Sequence, residues 1–375
     1  MTRLHKDKMD YRGRQQRVAQ ALNARHLAAL LVTHLPNVRY LCGFTGSAGV
    51  LLVTDGKCTF FTDGRYREQA RTEVQGARII VPTGPVLDAT ARAVADSGVK
   101  TLGFEGEHMS VAAKARVARI LRSKVRLRQT LQLVEAHRMV KEPAEIERLR
   151  AAVRLGASLF DKAVAAIRPG VTERAVAAEL EYAALCAGAE GMAFETIVAS
   201  GPRSALPHGV ASPQPIPPRG FVTLDFGVIL AGYCSDMTRT VFMGKPAARA
   251  QRLYQAVRDA QEAAIEAVRP GRTIDEVDRA ARRVLQRAGL AKYFTHSTGH
   301  GVGLEIHEPP RIAREEHEVM RPGMVITIEP GAYVPGYGGV RIEDMVVVTT
   351  TSCEVLTPTT KEFLTLRESG PIVCS

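Results

Sequence analysis

Two seven-residue stretches, about one hundred positions apart, constrain this chain most. IRPGVTE occupies 167–173 and VRPGRTI occupies 268–274. Each follows an alanine-rich segment of helical character and precedes another such segment. Thr172 and Thr273 suit helix N-caps, and Thr273 with Glu276 forms a capping box. The echo continues downstream: GFVTLDFG at 220–227 resembles GMVITIEPG at 323–331, which aligns Thr223-x-Asp225 with Thr327-x-Glu329. His208 and His307 stand at a similar offset. Such recurrence predicts two similar α+β halves packed together, with a cleft between them.

The chain of 375 residues leaves room for a separate domain before the duplicated part. There, ALLVTHLPNVRYLCGF, GVLLVTD and CTFFTD read as strands, with turns at Asp55-Gly56 and Asp63-Gly64. Segments 88–98 and 110–123 have helical spacing. This predicts a mixed α/β domain over 1–135 and a second domain over 136–375. Glu142-Pro143 opens a long amphipathic helix just beyond the junction, because proline is tolerated at a first helical position.

Composition narrows the function classes. The formal charge of +11 comes from arginines spread along the chain, densest at 3–25 and 114–128. Without aromatic interleaving, zinc-finger spacing or an RNP-like motif, a solvated basic surface is expected rather than a nucleic-acid site. No apolar run reaches the roughly 18 residues of a membrane span. The charged start, MTRLHKDKMDYRGR, lacks the apolar core of a secretory signal. The six cysteines are scattered without a C-x-x-C pair, as expected of reduced thiols in a cytoplasmic protein.

HSTGHGVGLEIHEPP at 296–310 is rich in side chains able to hold a metal. His296 and His300 have the i, i+4 spacing of a zinc-protease helix, but Ser297 follows where that motif needs glutamate. Gly299, Gly301 and Gly303 each cost about 1 kcal/mol in a helix. The stretch is expected to be a glycine loop feeding a short strand around Leu304–His307. Partners for its histidines must come from elsewhere.

Acids in apolar strands supply them. Asp225 and Asp236 lie inside two β-rich runs, and a hairpin centred near Leu230-Ala231 would set them opposite each other. Directly opposed, unpaired carboxylates repel and are costly to bury, so a positive charge must lie between them. Glu329 ends MVITIE. Glu343 sits in GGVRIEDMVVV, where alternation puts Arg341 on its face and Asp344 on the other. Four acids and one imidazole suit two divalent cations, manganese first, with cobalt or zinc as alternatives.

In that order and spacing, Asp225, Asp236, His300, Glu329 and Glu343 resemble the five ligands of the pita-bread metallopeptidases, the family of methionine aminopeptidase, Xaa-Pro aminopeptidase and prolidase. PHG at 207–209, SDMTRT at 235–240, TIEPG at 327–331 and GGVRIED at 338–344 extend the resemblance. YLCGFTGSAGVLLV and FTDGRY are similar to the creatinase-type N-terminal domain of the proline-specific branch. The resemblance implies an α+β chain: a creatinase-like α/β domain, then a pita-bread catalytic domain with internal pseudo-twofold duplication. It also implies a homodimer, or a dimer of dimers, and a peptide or dipeptide substrate with proline at position two.

Roles carry over by position. Asp225 and Asp236 would hold one metal, Asp236 and Glu343 would bridge to the second, and His300 and Glu329 would complete it. Glu329 would move the proton from the attacking water toward the prolyl nitrogen. His307 would hydrogen-bond the reacting carbonyl, His208 would steady substrate and leaving group, and His296 would wall the proline pocket. Arg341 would orient the acids or bind a substrate carboxylate. Glu305 and Glu308 are expected to be solvated or backbone-bound, outside the site. Short forms of this kind favour Xaa-Pro aminopeptidase, with Xaa-Pro dipeptidase as the alternative. The loops around Asn37-Val38-Arg39 and Gly64-Arg65 are candidates to catch a dipeptide's carboxylate. A non-catalytic binding protein on the same fold is a weaker reading, because all five ligands are present.

Overall fold

The computed structural model describes residues 9–367 and 370–372. The first part of the basic stretch and Cys374 lie outside them. The chain divides into two compact units, Met1–Arg138 and Met139–Ser375. Among the described residues no helix is long and apolar enough to cross a membrane.

Unit one contains helix α1 (Tyr11–Ala24), strand β1 (Ala29–Val32), helix α2 (Leu35–Cys42), β2 (Val50–Thr54), β3 (Lys57–Phe61), β4 (Arg78–Ile80), α3 (Val86–Asp96), β5 (Thr101–Glu105), α4 (Val111–Leu121) and β6 (Arg126–Thr130). Its sheet runs β4-β3-β2-β1-β5-β6. Asp55-Gly56 closes the β2–β3 hairpin, with Gly56 at φ +70°. ALLVTHLPNVRYLCGF is not one strand, as its apolar content suggested. It breaks at Thr33, and Pro36 in the first turn starts α2, which ends on Gly43 at φ +85°. Proline in a first turn and glycine past the last turn are the ordinary helix punctuation. Asn37 is therefore helical and buried; its amide donates to Glu105 and Glu135 and its carbonyl accepts from Arg138. Arg65 folds back in two bonds to Asp63. The 37–39 segment is thus a helix rather than the expected loop, while Gly64 and Arg65 lie in a short surface turn with the Arg65 side chain exposed.

Unit two repeats one plan. Its main elements are α5 (Pro143–Ser158), α6 (Glu173–Cys186), β7 (Ile197–Ser200), β8 (Gly220–Phe226), β9 (Met237–Met243), α7 (Ala248–Ala267), α8 (Ile274–Arg287), β10 (Gly299–Gly301), β11 (Glu308–Ile312), β12 (Val325–Ile328), β13 (Gly331–Val334), β14 (Gly338–Arg341) and β15 (Asp344–Val348). One sheet contains β9-β8-β7 and another β11-β10-β12-β15. The duplication is visible in detail. Gly170 and Gly271 both sit at φ +84°. Their N–H groups donate to Ile216 and Met320 respectively, each at 2.9 Å. Thr172 then bridges Pro215, and Thr273 bridges Val319.

Each half packs helices on one face of its sheet. Val222, Leu224 and Phe226 of β8 join the α6 core, while Ile326 and Ile328 of β12 and Val346 of β15 join the α7–α8 core. Side chains alternate along a strand. The residues between these, Thr223, Asp225 and Thr327, therefore point to the opposite face.

Candidate metal centre

The strands that bury apolar residues against the helices deliver the acids to the other side. Asp225 follows Thr223 at a spacing of two on β8, and Glu329 follows Thr327 past the end of β12. Val340 and Ile342 join the core, so Arg341 and Glu343 face the acids. Asp236 precedes β9, its N–H bonded to the Met345 sulfur. The Asp225–Asp236 pairing differs from the expectation in one respect. The hairpin turns at Ala231-Gly232, both at positive φ, one residue later than Leu230-Ala231. Moving the turn by one residue moves the cross-strand register by two. Thr238, not Asp236, is opposite Asp225. Asp236 becomes a diagonal neighbour on the same face, which relieves the direct opposition.

The histidine stretch also differs from its expected shape. The strand is Gly299–Gly301, and 303–307 is a bend before β11. The glycines serve strand contact: a Cβ on Gly299 would lie 1.9 Å from the Thr327 carbonyl oxygen, and one on Gly301 would lie 2.3 Å from that of Pro309. No side chain fits there.

Five predicted ligands come together. One ligand atom from each of Asp236, His300 and Glu343 lies within 4.8 Å of the others. His300 Nε2 is 3.6 Å from Asp236 Oδ2 and 3.5 Å from Glu329 Oε1. Asp225 is tied in by Arg341, whose Nη2 donates to its Oδ2. Thr238 Oγ1 accepts from Arg341 Nε and donates to Glu343 Oε2.

This arrangement is electrostatically incomplete as protein alone. Asp236 and Glu343 are 5% and 2% exposed. Burial, followed by the neighbouring carboxylates, raises both pKa values well above the ordinary range. Burial pushes Glu329 up to about 8, against the lowering influence of Arg341. Asp225 Oδ1 is buried and makes no hydrogen bond. His300 donates from Nδ1 to the Gly301 carbonyl at 2.9 Å, which leaves the Nε2 lone pair aimed among the acids. Burial keeps this ring neutral, its pKa lowered to about 4. A neutral imidazole with a second ring nitrogen anchored on a carbonyl is the state a metal ligand needs. The donor set fits hard or borderline divalent cations.

The other histidines line the same region. His307 is exposed and sets its ring against that of His300, centroids 4.4 Å apart at 72°. Desolvation chiefly, then the charge of His208, lowers the pKa of His307. His208 is exposed in a turn after Pro207, whose carbonyl accepts from Arg341 Nη1 at 3.0 Å. His296 donates from Nδ1 to Ser297, so its Nε2 accepts from the Tyr333 hydroxyl at 2.8 Å. Desolvation lowers its pKa to about 4, so it presents a neutral ring.

Tyr333 and Thr238 went unnoticed in the sequence. Tyr333 joins two expected site residues, accepting from Arg341 Nη1 at 2.7 Å while donating to His296. It lies on β13 diagonal to Arg341 on β14, a relation fixed by Gly331↔Arg341 and Tyr333↔Gly339. Thr238 could have been found from its spacing of two from Asp236. Glu308 is backbone-bound rather than solvated, accepting the Glu305 N–H at 3.1 Å, and it is also buried against Lys141 at 3.2 Å, a partner the sequence did not indicate. Asp344 points away as alternation predicted, and pairs with Arg239 at 2.7 Å.

Comparison with known proteins agrees with this geometry. Residues 147–350 match Metallopeptidase family M24, and residues 14–140 match the Creatinase/Prolidase N-terminal domain. The uncharacterized peptidase YqhT of Bacillus subtilis is 42% identical over 90% of this chain and 95% of its own length. A Xaa-Pro dipeptidase of Pyrococcus horikoshii is 36% identical over 93% of this chain and 98% of its own. Among solved structures, Xaa-Pro dipeptidase from Bacillus anthracis superposes with a TM-score of 0.93 at 39% identity, covering 95% of this chain and all (100%) of that one. X-Pro aminopeptidase from Thermotoga maritima reaches 0.86 at 34% identity, covering 92% and 100%. The chain belongs to metallopeptidase family M24 and is an enzyme whose pita-bread catalytic domain is preceded in sequence by a creatinase-type domain.

Proposed function

We propose that this enzyme is a Xaa-Pro dipeptidase, with two divalent cations, manganese first, held by Asp225, Asp236, His300, Glu329 and Glu343. The metal assignment rests on the unsatisfied Asp225 Oδ1 and the His300 Nε2 lone pair within a cluster of buried acids. The substrate assignment rests on full-length relatives named Xaa-Pro dipeptidase. They favour the dipeptidase over the aminopeptidase that the sequence preferred. The Thermotoga maritima structure keeps Xaa-Pro aminopeptidase as a second reading. A homodimer and a cytoplasmic setting belong to the same proposal.

When bound, the cations polarise the scissile carbonyl and lower the pKa of the attacking water. The chain supplies the rest. Glu329 accepts the water's proton and hands it to the prolyl nitrogen, which leaves only when protonated. His307 donates to the carbonyl oxygen as negative charge develops there, and His208 steadies the leaving group. His296, with both ring nitrogens engaged, offers only its ring to the proline pocket. Arg341 has donors committed to Asp225, Thr238, Tyr333 and the Pro207 carbonyl, which favours orienting the acids over binding a substrate carboxylate.

The test compares Xaa-Pro with Xaa-Pro-Yaa after loading with manganese, cobalt or zinc. Cleavage of the dipeptide alone supports the proposal. Cleavage of the longer peptide establishes the second reading, and inertness toward both sinks the two together. Asp236→Ala should remove turnover from protein that remains folded.

A further inference from the structure

The buried pair Lys141–Glu308 lies outside the set of residues given a role above. Its side chains are 1% and 3% exposed, with Nζ 3.2 Å from Oε2. An ion pair this deep is a weak source of net stability, because desolvation offsets most of its attraction. Its surroundings suggest another purpose. The second carboxylate oxygen, Oε1, accepts the Glu305 N–H at 3.1 Å. Gly303 wraps so closely that a Cβ there would lie 2.6 Å from Glu308 Oε2. The Gly303 carbonyl accepts the Cys234 N–H at 2.8 Å, two residues from Asp236. Lys141 is itself fixed, its N–H bonded to the Gly323 carbonyl at 2.9 Å, in the turn that leads into β12 and Glu329. The 303–307 bend has no ladder of its own, and His307 ends it.

We infer that Lys141 and Glu308 are positioning residues for the reaction. The Glu308 carboxylate is the template around which the bend folds, and Lys141 holds that carboxylate charged and in place, so that His307 stays against His300 and aimed at the carbonyl. This rests on the role proposed above for His307. The pair acts through geometry and touches no substrate.

The experiment measures kcat, KM, bound metal and the thermal midpoint for metal-loaded enzyme on a Xaa-Pro dipeptide. The variants are His307→Ala, Lys141→Met/Glu308→Leu, Lys141→Met/Glu308→Gln, and the apolar pair combined with His307→Ala. The apolar double variant removes both charges together and so keeps the fold, yet it loses the acceptor for Glu305. It should lower kcat roughly ten- to a hundredfold, the scale expected for misplacing a reacting group by about 1 Å. KM should change less than about threefold, with metal content and midpoint preserved. The glutamine version retains an acceptor and should recover most of the lost kcat. Adding His307→Ala to the apolar pair should bring little further loss. If His307→Ala itself leaves kcat intact, the role of His307 fails and this inference with it. If His307→Ala lowers kcat while the apolar pair does not, or if the pair lowers kcat only in proportion to lost metal or folded protein, the positioning role alone is refuted.

Discussion

Loading the metal-free enzyme with a divalent cation at pH 7 should release protons, and the site sets how many. Glu329 has its pKa pushed up to about 8, so it is about nine-tenths protonated at pH 7 without metal. Burial and the neighbouring carboxylates raise Asp236 and Glu343 in the same direction, so they add to the release of about one proton from Glu329. The same shifts govern stability. A carboxyl whose folded pKa exceeds its unfolded value binds more protons when folded, so stability is present below the unfolded pKa and is lost as pH rises through the folded one. For Glu329 the window runs from the ordinary 4.5 to about 8 and amounts to on the order of 5 kcal/mol. His296 and His300 oppose this at lower pH. Their folded values of about 4 lie below the ordinary 6.5, so their contribution rises with pH between those limits. The carboxyl effect therefore stands clear between pH 7 and 8, where metal-free protein should lose up to about 1.4 kcal/mol per pH unit for each proton. Calorimetric titration of manganese in buffers of different ionisation enthalpy counts the protons, and urea midpoints across pH 7–8 report the stability. Metal binding with no proton release at pH 7, or metal-free protein that gains stability from pH 7 to 8, would refute the reasoning.

Other consequences are simpler to read. Gly299→Ala places a methyl 1.9 Å from the Thr327 carbonyl oxygen and should destabilise by roughly 3 kcal/mol or more, measured as a urea midpoint. Tyr333→Phe leaves Arg341 and His296 each one partner short; it should cost roughly 1–3 kcal/mol and lower kcat/KM, with metal content unchanged by elemental analysis. Thr238→Val, nearly isosteric, should cut kcat about tenfold by uncoupling Arg341 from Glu343, and steady-state kinetics would expose an unchanged kcat. Arg239→Ala leaves the buried Asp344 with only Lys361 and Gln261 and strips the Glu343, Thr359 and Thr360 carbonyls of a donor; it should cost about 3–5 kcal/mol in chemical unfolding.

Much of this protein was legible in its one-dimensional order. The repeat of IRPGVTE and VRPGRTI became two glycine turns at the same φ with matching bridges, because a tight turn and a helix cap are local structures set by a few adjacent residues. The acids were equally readable. Strand alternation is a property of consecutive residues, so Asp225, Glu343 and Arg341 could be assigned a face, and Asp344 the other, without knowing their neighbours.

What failed depended on choices the sequence leaves close in energy or on partners far along the chain. LPNVRYLC is apolar enough for a strand, and only Pro36 and Gly43 together tip it to a helix. Ala231-Gly232 won over Leu230-Ala231 as the turn by one residue, which moved Asp236 from opposite Asp225 to diagonal from it. Tyr333 reached His296 and Arg341 because β13 and β14 pair in one register out of several. Glu308 reads as an acid outside the site, solvated or backbone-bound, and its ion pair arises only because folding brings Lys141 to it from 167 positions away. Sequence alone determined which chemical groups this enzyme has and the face each strand presents, since those follow from residue type and period. Only the tertiary structure decided register and burial, because both are set by where distant segments meet and how much water they exclude.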